Sequence, residues 1–141
     1  MTMFSRILAA NDGSENAFKA LGTACDLAAK YQAELHVILV EEVPALPLSL
    51  SEVQEVKGAE DKQVRAHIKR AEIMASRAGV TLECHVFTGH VVRNVVDFAN
   101  DNAFDLLVIG ATGHAAFYEQ MMGTRADRIA HMAHCPVLIV R

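Results

Sequence analysis

Two short stretches of this 141-residue sequence concentrate the small and polar residues that hold anions. The first is Asn11-Asp12-Gly13-Ser14, and the second, from Gly110 to Thr124, contains three glycines and two threonines. A glycine lets a ligand approach the backbone, and the amides at the start of a helix attract negative charge. Thr124-Arg-Ala-Asp127 has the form of a capping box that begins a helix. The pattern therefore predicts a phosphate site at Gly123 and Thr124.

Both stretches follow predicted strands in a chain that alternates between two patterns. Short apolar runs predict strands, and apolar residues every three or four positions predict helices. The expected strands are 6–10, 35–40, 80–88, 105–110 and 136–141, and the expected helices are 15–31, 51–78, 91–100 and one from Thr124. This alternation predicts an α/β fold, a doubly wound five-stranded parallel sheet with helices on both faces. Ligands bind such sheets beyond the carboxyl ends of the strands, where the strand order reverses.

Two residues and one segment have expected roles in the connections between helices and strands. Ser14 is expected to be the N-cap of the first helix rather than a nucleophile, because no G-x-S-x-G motif surrounds it. Gly79 stands where a helix C-cap is expected. Residues 43–53 follow the second strand at the binding edge, and a flap over a ligand, a partner contact and a plain loop all remain open for them.

The composition narrows the class of protein. Hydrophobic residues make up 52% and charged residues 21%, which favours a single folded domain over residues 1–141 and excludes intrinsic disorder. The 13 basic and 17 acidic residues give a net charge of -4, without the broad basic footprint of a nucleic-acid binder. We expect no transmembrane span and no signal peptide, and the scattered Cys25, Cys84 and Cys135 suit a reducing compartment. A cytoplasmic location is therefore expected.

The sequence resembles the universal stress protein family in three places. Gly110-x-x-Gly113, then nine residues, then Gly123-Thr124 is similar to the G-2x-G-9x-G-[S/T] nucleotide-binding motif of that family. Asp12-Gly13-Ser14-Glu15 resembles its D-G-S loop, and the ending from His134 to Val140 is similar to its last strand. The resemblance covers the whole chain and implies a Rossmann-like domain related to adenine nucleotide alpha hydrolases.

The resemblance also implies a set of nucleotide-binding residues. In ATP-binding members, the aspartate matching Asp12 and the backbone near Val40 hold the adenosine, and the position matching Gly110 lies near the ribose. The positions matching the later glycines and threonine surround the phosphates, with the backbone of the next residue beside them. The implied binding residues are Ala10, Asp12, Val40, Gly110, Gly113, Gly123, Thr124 and Arg125.

The sequence departs from the family pattern in four places, and the last of them leaves the preferred nucleotide open. Ala10 replaces a proline or valine, Asn11 a hydrophobic residue, and Arg125 a small apolar residue. The bulky pair Phe117-Tyr118 lies in a loop that is usually rich in small and basic residues. The expected ligand is therefore ATP, ADP or AMP, and Mg²⁺ can accompany ATP.

The expected function is that of a stress-response or signalling protein in which the bound adenine nucleotide is mainly a signal. No residue is an evident general base, so any ATPase activity should be slow. The alternatives are a slow ATPase or autophosphorylating enzyme with Thr124 or Ser14 as acceptor, and a nucleotide-free interaction module. In this family the last strand pairs with its twin, so we expect a homodimer through Val137-Val140 and also an unknown protein partner.

No metal site is expected from the histidine pattern. His131, His134 and Cys135 cluster near the end of the last helix, and His85 adjoins Cys84. A zinc site needs further ligands at suitable spacing, and neither group has them nearby in the sequence.

Overall fold

The computed structural model describes residues 3–41, 50–112 and 124–141, with residues 50–60 described as main chain only. Strands and helices alternate along these segments. The strands are β1 (Arg6–Asn11), β2 (Glu34–Glu41), β3 (Leu82–Thr88), β4 (Leu106–Gly110) and β5 (Val137–Val140). The helices are α1 (Glu15–Tyr31), α2 (Leu50–Arg77), α3 (Val91–Asp101) and α4 (Thr124–Met132).

The five strands form one parallel sheet in the order β3-β2-β1-β4-β5. One core lies between the sheet and helices α1 and α2, with Phe18, Leu21 and Val37 among its buried residues. A second core lies on the other face, against α3 and α4, and includes Val95 and Ile129. The predicted doubly wound α/β fold is confirmed, with β1 and β4 adjacent at the point where the strand order reverses.

Helix caps explain where two elements begin and end. The Ser14 Oγ accepts a hydrogen bond from the Ala17 N–H at 3.1 Å, which confirms Ser14 as the N-cap of α1. At the end of α2, Gly79 has a φ of +74°. Its N–H bonds to Ser76, and the next N–H, that of Val80, bonds to Ala75, as in a Schellman motif. Because this cap occupies residue 80, β3 begins at Leu82 and not at the predicted residue 80.

The other element boundaries differ from the predicted ones by only one or two residues. The exception concerns residues 43–53, which the sequence left open. Residues 43–49 lie outside the described residues, whereas 50–53 form the first turn of α2 and are therefore not a loop. None of the helices in the described segments is long and apolar enough to cross a membrane.

The two outer strands each expose an apolar side chain. Val86 on β3 is 43% exposed, and Leu138 on β5 is 36% exposed. The prediction that the last strand lies at an edge of the sheet is confirmed. Within the described part of the chain, each outer strand pairs with one neighbour only, so each has one side open to further pairing.

The cysteines are unpaired thiols. Burial, with a smaller contribution from the nearby Asp26 carboxylate, raises the pKa of Cys25 to about 11. Burial and Glu72 likewise raise the pKa of Cys84 to about 11, and burial also raises that of Cys135. All three are therefore protonated near neutral pH, the form that reacts slowly with electrophiles.

Candidate functional site

An opening lies between β1 and β4 at the carboxyl edge of the sheet. The ladder between these strands runs from Ile7–Leu106 to Ala9–Val108 and ends there. Both strands nevertheless continue, β1 to Asn11 and β4 to Gly110, each still paired with its outer neighbour. The two central strands thus separate over their last residues, which creates a crevice at the topological switch point.

The loop after β1 is fixed by two successive side-chain turns. Asn11 Oδ1 accepts a hydrogen bond from the Gly13 N–H at 2.6 Å, and Asp12 Oδ1 accepts one from the Ser14 N–H at 3.0 Å. These are Asx turns, which mimic backbone turns and order the chain before it enters α1. Asn11 departs from the family pattern and is only 5% exposed. Its buried side chain therefore orders this loop through the hydrogen bond to Gly13.

Gly13 is required by both its conformation and its neighbour. Its φ is +85°, a region that side chains rarely adopt. A Cβ at this position would clash with the imidazole of His67, which reaches over from α2. The contact with His67 places the middle of α2 directly against the loop, a position that no local pattern around residue 67 predicts.

Asn16, in the first turn of α1, joins the ends of two strands. Its Oδ1 accepts a hydrogen bond from the Thr112 N–H at 2.9 Å, just beyond β4. Its Nδ2 donates to the Val140 carbonyl at 3.3 Å, at the end of β5. Sequence reasoning missed this residue; the available signal was a polar side chain in the first turn of the helix that follows the predicted binding loop.

Asn16 leaves little room for a side chain at position 110, which is glycine in this chain. A Cβ on Gly110 would lie 2.6 Å from the Asn16 Oδ1 and 3.2 Å from the Asn16 carbonyl oxygen. The Asn16 side chain would have to move, which would disturb its hydrogen bonds to Thr112 and Val140, and the helix backbone would have to shift by a few tenths of an ångström. The first glycine of the predicted motif therefore has a packing role in this chain, whatever it contributes to a ligand.

Ala10 and Val40 flank the crevice on the β1 and β2 side. Ala10 is partly buried and packs against the core beneath α3 and α4. Val40 lies one residue past the end of the β1–β2 ladder, whose last partners are Asn11 and Leu39. The main chain of Val40 thus lies beyond the last paired residue of β1, at the carboxyl edge of the sheet.

The start of α4 is the other predicted part of the site. Thr124 is the first residue of the helix, as predicted, and both Thr124 and Arg125 are exposed. Gly113 and Gly123, on which the phosphate prediction depends, lie outside the described residues. The structure thus brings Ala10, Asp12, Val40 and Gly110 to one edge of the sheet, and it shows that a helix begins at Thr124.

An ion pair holds α2 beside the loop. The two terminal nitrogens of the Arg70 guanidinium, Nη1 and Nη2, donate to the Glu15 carboxylate at 2.9 and 3.0 Å. These hydrogen bonds, together with the charge of Arg70, lower the pKa of Glu15 below its usual value. The Arg70 guanidinium also lies 3.9 Å from the centre of the Phe18 ring. Glu15 is therefore committed to Arg70 and is not a free base at the site.

The fold and the crevice define a doubly wound α/β protein with a binding edge at its switch point. The sequence profile described as "Universal stress protein family" matches residues 3–141. The chain is 30% identical to universal stress protein YxiE of Bacillus subtilis over 148 residues, covering 99% of this chain and all of that protein. This chain belongs to the universal stress protein family.

Solved structures agree with this assignment. The structure of universal stress protein UspA from Lactobacillus plantarum superposes with a TM-score of 0.83 at 26% identity, covering 98% of both chains. Two more distant structures contain an adenine nucleotide. One is a universal stress protein in complex with cAMP, with a TM-score of 0.78, 24% identity and 99% of both chains covered. The other is from Archaeoglobus fulgidus in complex with dAMP, with a TM-score of 0.63, 20% identity and full coverage of both chains.

Proposed function

We propose that this chain binds an adenine nucleotide in the crevice between β1 and β4 and works as a cytoplasmic, homodimeric stress-response or signalling module. The observation that carries the proposal is the early end of the β1–β4 ladder at Ala9–Val108, while both strands continue. Nucleotides bind doubly wound sheets at such a switch point. The cAMP and dAMP complexes of structurally similar family members support the same ligand class. In this proposal residues 1–141 act as one domain.

The nucleoside end of the ligand is assigned to the residues at the ends of β1, β2 and β4. Asp12 is anchored through its Oδ1 by the Ser14 N–H, so its carboxylate has a fixed direction, and the Val40 backbone continues beyond the β1 ladder. We assign adenosine recognition to Ala10, Asp12 and Val40, with Gly110 beside the ribose. This assignment follows the family pattern.

The phosphate end is assigned to the start of α4. Gly113, Gly123, Thr124 and the backbone of Arg125 match the phosphate-binding positions of the family motif. The first amides of α4 and its dipole supply the positive potential, which matters in a chain of net charge -4. Mg²⁺ would accompany the ligand if it is ATP. Such a set of amides holds an anion without activating water, so the nucleotide serves as a signal and hydrolysis is slow.

Nucleotide released from the purified protein tests the proposal directly. Denatured protein should release ATP, ADP, AMP or cAMP, identified by mass spectrometry. Each of these added to emptied protein should raise its melting temperature, because a ligand at ~100 times its Kd adds ~2.7 kcal/mol of stability. No released nucleotide and no melting shift at millimolar nucleotide would refute the proposal. Transfer of the γ-phosphate of ATP to the protein would instead favour autophosphorylation.

A matched pair of glycine variants locates the phosphate site. Gly123→Val should abolish the nucleotide-dependent melting shift, because a side chain there blocks approach to the amides of α4. The control is Gly22→Ala in the middle of α1. The new Cβ would lie 3.6 Å from its nearest neighbour, the side chain of Met74, so this variant should retain the full shift. A normal shift in Gly123→Val would place the phosphates elsewhere.

The two outer strands offer a matched test of the dimer. The proposed interface is β5, Val137–Val140, where Leu138 is exposed at the sheet edge. Leu138→Lys should convert the dimer to a monomer in sedimentation velocity, because a charge in an apolar strand pair is costly. Val86→Lys, on the opposite outer strand, should leave the dimer intact. The reverse result would move the interface to β3, and a monomeric parent protein would refute the dimer.

A further inference from the structure

A cluster of ionisable side chains lies at the amino ends of β2 and β3, opposite the nucleotide edge. His36 on β2 is directly paired with Glu83 on β3, and His85 lies two residues further along the same face. One ligand atom from each of these three side chains lies within 4.8 Å of the others. No other group of this kind occurs among the residues whose side chains the structure describes. The cluster takes no part in the proposed nucleotide site.

The three side chains converge through specific atoms. The His36 Nδ1 lies 2.9 Å from the His85 Nε2 and 3.5 Å from the Glu83 Oε2. His36 is 7% exposed, whereas the Glu83 side chain is 67% exposed. The cluster is therefore held from the protein side by His36 and is open to solvent at Glu83.

The carboxylate of Glu34, outside the cluster, bonds to the other ring nitrogen of His36. The His36 Nε2 lies 3.3 Å from the Glu34 Oε2. An ionised carboxylate only accepts hydrogen bonds, so the hydrogen of this contact is on Nε2. In the tautomer with a single hydrogen, on Nε2, the lone pair of Nδ1 faces His85 and Glu83. A histidine that binds a metal through one ring nitrogen commonly donates the hydrogen of its other ring nitrogen to a carboxylate.

Aromatic rings and a second ion pair restrict the movement of these groups. The His36 ring packs edge-on against Phe104, with 5.0 Å between the ring centroids. The centroids of the His85 and Phe98 rings are 4.6 Å apart. Arg6 donates to Glu34 at 2.6 Å, which holds the outer carboxylate in place. Ligands that are already oriented lose little conformational freedom when they bind an ion.

We propose that His36, Glu83 and His85 form a site for a divalent transition metal, with Zn²⁺ as the best match, and that Glu34 positions His36. Two imidazoles and one carboxylate are the ligand set of open, four-coordinate zinc sites, where water takes the remaining position. Zn–N bonds of about 2.0–2.1 Å at tetrahedral angles place two nitrogens about 3.3 Å apart. The 2.9 Å between the two nitrogens is within a few tenths of an ångström of this separation, and the rings must also turn so that both lone pairs point to the metal.

The proton balance of the site is simple. Without metal, a hydrogen on the His85 Nε2 bridges to the bare Nδ1 of His36. On binding, that hydrogen is carried by the His85 Nδ1, and the freed Nε2 lone pair joins the metal while the ring stays neutral. Glu34 and Glu83 outweigh the single charge of Arg6, so the surroundings favour a cation.

Calorimetric titration of chelator-treated protein with ZnCl₂ tests the proposal. We expect one tight site per chain in the parent protein. His85→Gln and Glu83→Gln should each weaken that site at least 100-fold, and Glu34→Gln should weaken it about 10–100-fold as an outer-shell change. His131→Gln, which removes an exposed histidine on α4, is the matched control and should bind as the parent does.

A second measurement separates metal binding from a folding defect. Co²⁺ bound by the parent should give the visible absorption of a four-coordinate ion, and Glu83→Gln should lose it while keeping the parent circular dichroism, because Glu83 is largely exposed. Millimolar or weaker zinc binding would show that the cluster is only a hydrogen-bonded imidazole pair and would overturn the proposal. So would a tight site that survives in both His85→Gln and Glu83→Gln. The nucleotide-dependent melting shift should be the same in all four variants, so the two proposals fail independently.

Discussion

The carboxyl and amino edges of the sheet differ in the chemical groups that they present. At the carboxyl edge the crevice is surrounded by main chain, by glycines and by short polar side chains that bond to peptide groups, as Asn16 does at Thr112. At the amino edge, long polar side chains bond to one another, as in the Arg6–Glu34 ion pair and the hydrogen bond between His36 and His85. One edge suits a ligand that peptide groups can hold, and the other suits a small cation held by side chains.

This difference explains why the proposed nucleotide site could be predicted from the sequence and the proposed metal site could not. A site made of peptide groups needs glycines and caps at fixed distances along one loop, and such spacing is visible in the sequence. A site made of side chains on paired strands depends on the register between them. His36 and His85 are 49 residues apart in sequence, and only the β2–β3 register brings them together.

Two substitutions share the largest expected effect, and the first of them tests the packing of the carboxyl edge. Gly110→Ala should lower the free energy of unfolding by about 1–3 kcal/mol, because the new Cβ overpacks a rigid contact. The obstacle is the Asn16 Oδ1, 2.6 Å from the Cβ position. Urea denaturation measures the loss, and nucleotide affinity should fall with it because Asn16 also holds Thr112.

Gly22→Ala is the control for Gly110→Ala. It adds the same methyl group within α1, where the nearest neighbour is 3.6 Å away. Replacing glycine by alanine inside a helix is expected to raise stability by about 1 kcal/mol. Equal effects of the two substitutions would show that Gly110 is not constrained by Asn16.

The next effect tests the amino edge, where Asp105 joins two segments. Its Oδ2 accepts hydrogen bonds from the Ser5 N–H and hydroxyl, both at 2.8 Å, and its Oδ1 accepts one from the Arg6 N–H at 3.0 Å. Asp105→Asn should cost about 1.5–3 kcal/mol, the range for hydrogen bonds to a charged group. Urea denaturation at pH 7 provides the measurement, and nucleotide binding should be unchanged because the residue lies at the other end of β4.

The same carboxylate predicts a pH dependence. Partial burial acts to raise the pKa of Asp105, but the hydrogen bonds from Ser5 and Arg6 outweigh it and lower the pKa below its usual value. A lowered folded pKa gives stability that is present above the unfolded value of about 3.9 and is lost as the pH falls through the folded value. The urea midpoints of the parent and Asp105→Asn should therefore differ at pH 6, and the difference should shrink as the pH falls below the unfolded value of about 3.9. A constant difference across that range would contradict this interpretation.

Most of the fold could be predicted because periodicity and caps are local. The apolar face of α1, the Ser14 cap and the Gly79 cap each depend on residues within a few positions of one another. The contacts made by Asn16 and His67 could not be predicted, because they depend on how helices pack over the sheet. The β1–β4 opening has the same origin, since it depends on where a ladder between residues about 100 positions apart ends.

The smallest effect concerns Ser14, which lies at the boundary between stability and ligand binding. Ser14→Ala should lower the free energy of unfolding by about 1 kcal/mol, because the Ala17 N–H loses its cap. Ser14→Asp keeps a capping oxygen and should recover most of that loss in urea denaturation. The added negative charge lies in the loop at the crevice, so Ser14→Asp should nevertheless weaken nucleotide binding more than Ser14→Ala does. If the two variants instead bound nucleotide equally well, the anion would have to lie far from this loop, and the carboxyl edge would be no more than a well-packed turn.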